Sequence, residues 1–247
     1  MPMPPVVSLE KYVSADAGIS NELGSSTRYL PDYCGDTYYY RVVASFNRVN
    51  YTGITITDTF KKWEKVTGVK IYELCGDTWE LSTDCTSVTN PDTPYGSAKT
   101  VDVSVNTARA GGSTFCIEYE VRIPAAAEFE SLSSRPGRMD PYYSWTNKAS
   151  VSYSYDLGYT LHGNSGSGSG TKESKAVRVY MPSLCIRVYK RDKKTDLGIN
   201  GAKLSLLNQE GKVVKTFTSS SVYYEVCGLA SGTYTLREEK APQGYKL

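Results

Sequence analysis

The sequence has a single histidine, His162, among 247 residues, and none of its six cysteines forms a Cys-x-x-Cys pair. Zinc sites draw on those two residue types at close spacing, so no metal site is expected. The same shortage leaves no Ser-His-Asp or Cys-His set around His162, which argues against a turnover enzyme. Neither sign of charge dominates: 28 basic residues stand against 26 acidic ones, without a long run of either. Nothing therefore asks for nucleic acid or an anionic membrane surface. No apolar run approaches the length of a spanning helix, and the opening MPMPPVV lacks the order of a secretion signal. The one glycine-rich run, GNSGSGSGTKES, has neither the Lys-Ser/Thr ending nor the following helix of a phosphate-cradling loop. It reads as a flexible hairpin tip, and no cofactor is implied.

Tyrosine is abundant, at 21 residues against 5 phenylalanines. Tyrosine favours strands and tolerates a half-wet surface. Strand-like runs recur with turn punctuation between them: TYYYRVVASF, TGITITDTF, GVKIYELC, KTVDVSV, TFCIEYEVRI, KASVSYSYDL, KAVRVYM, then CIRVYK, AKLSLLN, KVVKTFT, VYYEV and TYTLRE. Short, evenly spaced strands point to all-β antiparallel sandwiches and not to alternating strand–helix units. A helix is expected only in short pieces such as AAAEFESL, residues 125–132. Met181-Pro182-Ser183 is the best boundary, because proline cannot donate to a ladder and a new alternating strand starts at once. Two domains follow, residues 1–182 and 183–247.

The cysteines are either buried thiols or disulfides. Cys75 and Cys85 are spaced to close a local loop, and Cys185 with Cys227 in the second domain can pair across strands. Cys34 and Cys116 are further candidates, and their pairing does not follow from the sequence.

Several charged residues fall in phase with apolar ones. In VSLEKYV, Lys11 shares a face with Val7, Leu9 and Val13. In GITITDTF, Asp58 sits among Ile54, Ile56 and Phe60, and in WTNKASVSYSY Asn147 is in phase with Ala149, Val151, Tyr153 and Tyr155. In the second domain, Lys190 continues the buried alternation of LCIRVYK, and Glu238 shares a side with Tyr234 and Leu236. Charges in register with core positions are costly unless paired or neutralised. Lysine, acid and asparagine form a coherent chemical set. An apolar site lowers a lysine's pKa toward the nucleophilic neutral amine, and a buried, protonated carboxyl can polarise an amide carbonyl while ammonia departs. Glu118 and Glu120 in CIEYEV are the alternatives to Asp58 as the acid, though both alternate with Ile117, Tyr119 and Val121 and so should face outward.

SLEKYV, TYYYRVVASF, ITITDTF and TNKASVSY, in that order over residues 6–182, resemble the isopeptide-forming fimbrial domains of Gram-positive pilins and adhesins. In that family a first-strand lysine joins an asparagine on a late strand beside an acid. The resemblance implies Lys11, Asn147 and Asp58 for these roles. The run VYKRDKKTDLGINGAKLSLLNQEGKVV, followed by GLASGTYTLREEKAPQGYKL, is similar to the prealbumin-like collagen-adhesin B-type domain of surface proteins. That resemblance makes Lys190 a bond-forming lysine and Glu238 its helper acid. The family's acceptor lies on a final strand beyond the APxGY turn, so the second domain is expected to lack that strand here, with Lys190 unbonded or bonded in trans to a donated strand. Asn208, in the LLNQEGKVV hairpin, is in the wrong place to serve. No LPxTG-like motif is present, and VRVYMP has Met181 and Pro182 where a pilin-linking Pro-Lys pair would be needed.

The fold expected is thus two tandem antiparallel β-sandwiches, Ig-like and prealbumin-like. The expected role is a structural segment of an extracellular, cell-wall-anchored pilus or adhesin stalk, with neighbouring domains or subunits as partners. The competing role is an adhesive module that recognises a host matrix protein or glycan through the tyrosine-rich stretches 36–41 and 140–145.

Overall fold

Period-2 alternation of apolar and polar residues is the pattern of a strand with one buried face. The computed structural model describes residues 4–19, 22–83, 87–88, 95–96, 99–139, 141–161, 164–229 and 232–246. Strands β1 (Val7–Ser14), β2 (Thr27–Tyr29), β3 (Thr37–Phe46), β4 (Tyr51–Phe60), β5 (Lys65–Cys75), β6 (Thr78–Leu81), β7 (Ser87–Val88) and β8 (Lys99–Ser104) come first. After the one-turn helix α1 (Thr107–Ala110) come β9 (Thr114–Arg122), the short helix α2 (Ala126–Ser131), β10 (Gly137–Met139), β11 (Tyr142–Asn147), β12 (Ala149–Leu161), β13 (Asn164–Glu173) and β14 (Val177–Pro182). The remaining strands are β15 (Leu184–Val188), β16 (Lys203–Leu207), β17 (Val213–Thr218), β18 (Tyr224–Leu229) and β19 (Thr235–Lys240). The expected helical piece is α2, which buries Phe129.

Three sheets surround the larger core. Their orders are β1-β3-β9-β5-β6, β10-β11-β14-β2 and β13-β12-β4-β8-β7, and the inward side chains merge into one apolar cluster running from Val7 to Met181. Within it β11 passes directly into β12 at the exposed Lys148, so one stretch of chain serves two sheets. A two-stranded sheet, β15-β18, and a three-stranded one, β17-β16-β19, enclose a separate and smaller cluster of Val188, Ala202, Leu204, Leu206, Phe217, Val226 and Leu229. Phe217 stacks on Tyr224 with ring centres 4.3 Å apart.

Polar contacts join the two clusters. Ser183 N–H donates to Pro141 O at 2.7 Å, and Arg138 reaches both Cys185 Sγ at 2.8 Å and Glu225 at 3.6 Å. Gly228, with φ of +76°, packs its Cα against Tyr33 and Glu130, where a Cβ would meet the Tyr33 hydroxyl at 2.5 Å. Glycine alone combines that backbone angle with that closeness.

The glycine-serine run is not a hairpin tip. It forms β13, paired along its length with β12. The register sets Gly170 opposite Tyr153 and Gly168 opposite Tyr155, and each tyrosine ring lies where the glycine's Cβ would be. Aromatic side chains laid over glycines supply the packing that the glycines lack. Residues 162–163, with His162, lie outside the described residues.

Candidate functional site

Strand β1 turns Val7, Leu9, Lys11 and Val13 to the core, as its alternation requires. Across the sandwich β4 presents Ile54, Ile56, Asp58 and Phe60, and β11 presents Tyr143, Trp145 and Asn147. The β4–β12 register pairs Asp58 with Ala149, which brings Asn147 to the acid. The three expected residues meet. Lys11 Nζ donates to Asp58 Oδ2 and, at 2.9 Å, to Asn147 Oδ1. The Asn147 amide donates to Thr59 O at 3.3 Å, which fixes its orientation. Lys11 is 5% exposed, Asp58 0% and Asn147 2%. Aromatic rings wall the site: Lys11 Nζ lies 4.5 Å from the Tyr40 ring centre and 5.8 Å from that of Phe60.

Burial pushes the Lys11 amine below its ordinary value, against the pull of Asp58. Burial likewise pushes the Asp58 carboxyl up, against Lys11. Both shifts favour the uncharged pair, a free amine beside a carboxylic acid. Asp58 Oδ1 closes no hydrogen bond, although the neighbouring Asn147 amide is near enough to favour the charged form. An amine, a proton donor and an amide carbonyl in dry contact constitute the reactants and general acid of an amide exchange.

A second buried acid was not found from the sequence. Glu64, fully buried, accepts from the Tyr38 and Tyr40 hydroxyls, the Trp145 indole N–H and the Lys61 amide. The available signal was the pair of in-phase tyrosines on β3, whose buried hydroxyls needed an acceptor.

Glu118 corrects an expectation. It lies on the sheet face away from Lys11, as the alternation implied, but it is 2% exposed and does not meet solvent. The equally buried Arg41 bonds it at 2.9 Å and donates to the carbonyls of Asp16, Gly18, Glu22 and Leu23, so residues 16–18 and 22–23 cover this part of the outer face. Glu120 is half-buried.

In the second region Lys190 Nζ bonds Glu238 Oε2 at 2.9 Å, so that pair also meets. β15 ends at Val188, however, so Lys190 lies beyond the strand, with the side chains 31% and 23% exposed. Asn208 caps its own hairpin, accepting from Glu210 and Lys212 N–H groups.

Cys185 and Cys227 form a disulfide across the β15–β18 pair. Cys34 and Cys116 are instead buried free thiols, and Cys75 is a free, exposed one. Cys85 lies outside the described residues. Of the tyrosine-rich stretches, Tyr38, Tyr40, Tyr143 and Trp145 are core residues. Only Tyr39 and Tyr142 remain half-exposed, and Tyr142 packs edge-on against Tyr29 and Tyr180. The adhesive reading thus loses most of its residues to the sheet faces.

Residues 185–247 match the family model described as SpaA, a prealbumin-like fold domain. No curated protein matches the sequence. Among solved structures, the chain is similar to BcpA, the major pilin subunit of Bacillus cereus, at 17% identity and a TM-score of 0.59, covering 96% of this chain and 60% of that one. It is also similar to the 35 kDa C-terminal fragment of the major pilin GBS80 of Streptococcus agalactiae, at 14% identity and a TM-score of 0.52, covering 98% and 88%. The pilus backbone RrgB from Streptococcus pneumoniae gives 12% identity and a TM-score of 0.50, covering 98% and 91%. The chain spans 60% of the length of the Bacillus cereus subunit. At these identities the likeness is one of fold, and the all-β, Ig-like and prealbumin-like expectation holds.

Proposed function

We propose that this chain is a structural segment of an extracellular, cell-wall-anchored pilus or adhesin stalk, built as two domains, 1–182 and 183–247, and stiffened by a Lys11–Asn147 isopeptide bond. The observation that carries the crosslink is the contact of the buried Lys11 amine with the Asn147 carbonyl oxygen at 2.9 Å, with Asp58 on the same amine. The neutral Nζ attacks Asn147 Cγ while the Asp58 carboxyl gives its proton toward Oδ1. Asp58 then moves a proton from Nζ to Nδ2, the Cγ–Nδ2 bond breaks, one ammonia leaves, and Oδ1 returns its proton to Asp58 as the carbonyl re-forms. The new amide keeps one hydrogen on Nζ, and Asp58 ends as it began. Folding supplies the catalysis by holding the reactants in contact, and the reaction occurs once. In the second domain Lys190 and Glu238 take the corresponding parts of bond-forming lysine and helper acid, toward a strand from a neighbouring subunit or domain.

The bond would close a loop across a separation of 136 residues. By the loop-entropy relation used for disulfides it removes about 5 kcal/mol of unfolded-state freedom. It also carries tension past everything between residues 11 and 147. Strands β12, β13 and β14 follow Asn147 and stay on the loaded path as far as Cys185, where the disulfide takes over to Cys227.

Intact mass with peptide mapping, run reduced and unreduced, tests the reading. A chain lighter by one ammonia, yielding a branched Lys11–Asn147 peptide, is expected. A chain of full mass with separate Lys11 and Asn147 peptides would remove the covalent part of the proposal.

A further inference from the structure

Glu64 sits in the turn between β4 and β5, closed by its own N–H to Lys61 O at 3.0 Å. Its Oε1 accepts from Tyr38 OH at 2.6 Å, Tyr40 OH at 2.7 Å and Trp145 Nε1 at 2.8 Å, and its Oε2 accepts from Lys61 N at 2.6 Å. Three of these donors serve different parts of the reactive centre. The Tyr40 ring is the floor beneath the Lys11 amine. Trp145 precedes Asn147 by two residues on the same face of β11, and it packs edge-on against Trp63, the residue before Glu64. Lys61 opens the turn just after Asp58, Thr59 and Phe60. An apolar side chain could fill this place without the desolvation that a carboxylate suffers, so the acid calls for a reason beyond packing.

We infer that Glu64 is the positioning residue of the Lys11–Asn147 crosslinking reaction, an inference that rests on the reading proposed above. One carboxylate ties together the ring under the amine, the strand that carries the amide and the turn behind the acid. Small displacements of these parts matter, because reaction between held groups depends steeply on their approach. Its charge acts on the same pair. The titratable groups around it are Lys11, Asp58, Lys61, Tyr38 and Tyr40, and its negative charge raises the proton affinity of both Lys11 and Asp58. The proton those two share is thereby retained to higher pH. Without that charge the pair gives up its shared proton at a lower pH, and Asp58 then has none to give.

The test follows crosslinking in newly synthesised full chains of wild type, Glu64→Gln and Tyr40→Phe. Samples are quenched in denaturant across a pH series and the mass loss of ammonia is read against time. Tryptophan fluorescence reports whether each variant folds. Glu64→Gln, which keeps an acceptor for three donors but loses the charge, is expected to crosslink about tenfold more slowly or worse, as for a lost charge-assisted hydrogen bond. The alkaline limb of its rate profile is expected to move to lower pH. Tyr40→Phe keeps the ring but cuts its tether, and it too should slow the reaction. A Glu64→Gln chain with the wild-type rate and limb overturns the inference, and so does uniform slowing with the limb unmoved, which would mark a merely structural residue. Should Glu64→Gln fail to fold, Tyr40→Phe decides, and a wild-type rate there overturns the inference. A wild-type chain that never loses ammonia overturns the crosslink itself, independently of the variants.

Discussion

Lys11 and Lys190 each sit within hydrogen-bond reach of a carboxylate, yet the two regions treat them differently. Lys11 lies between facing sheets in a large core, with no side-chain exposure on it or on Asp58, and an amide oxygen at 2.9 Å. Lys190 lies past the end of its strand beside a small core, with 31% of its side chain open to water. Among the described residues its side chain bonds Glu238 and no amide. The pairing is the same and the solvent is not. Removal of water pushes the first lysine toward the free amine, whereas the second, with no donated strand over it, stays in a surface salt bridge. A reactive lysine is therefore specified by the depth of the core around it more than by the acid next to it.

The largest expected effect breaks the first side of that comparison. Asp58→Ala should take ammonia loss from complete to none, read by intact mass. It should also destabilise the fold by about 1–3 kcal/mol for the buried Lys11 amine left without its partner, in addition to the missing crosslink. Persistent crosslinking in this variant would mean that another group serves as the acid. Next in size is the disulfide, which gives the small core what an isopeptide bond would give the large one. Cys185 and Cys227 are 42 residues apart, and the loop relation assigns their bond ~4 kcal/mol. Denaturant melts with and without reductant should separate a second-region transition that shifts from a first-region transition that does not.

How much of this could be read in advance follows from where each residue sits. Lys11, Asp58 and Asn147 lie within or at the end of regular strands, so a period of two exposes their phase before any coordinates exist. Glu64 lies in a turn among Lys61, Lys62 and Lys65, where no period applies and the local chain reads as solvated charge. The phase of Glu118 was legible, but the cover that Asp16 and Gly18 lay over that face, held by Arg41, was not. β13 was misread because its composition is that of a linker, and what makes it a strand is the cross-strand company of Tyr153 and Tyr155. Composition speaks for the isolated chain, and register belongs to the assembled one.

A smaller effect sharpens the second side. Glu238→Ala removes the partner of a lysine that water already reaches, so the loss should be no more than about 1 kcal/mol in a denaturant melt. A loss several times larger would show that Lys190 is drier than its exposure implies, and the contrast with Lys11 would narrow.

The smallest effect sets two aspartates against each other. Asp58 is pushed up by burial, whereas Asp192 in the second region is held below the ordinary aspartate value, first by the N–H groups of Thr195 and Lys194 and then by the Tyr245 hydroxyl. A carboxyl with a depressed folded value contributes stability above the unfolded value, about pH 4, and loses it as pH falls through the lower one. Acidification below that point should therefore loosen the loop that Asp192 organises while leaving the strands paired. Hydrogen exchange at the Thr195 amide, which Asp192 Oδ1 accepts at 2.9 Å, is the direct readout. Corrected for the intrinsic pH dependence of exchange, its protection should fall on acidification in the native chain and stay flat in Asp192→Asn. Protection that falls equally in both would locate the acid sensitivity elsewhere in the second region, and the opposition of the two aspartates would no longer explain it.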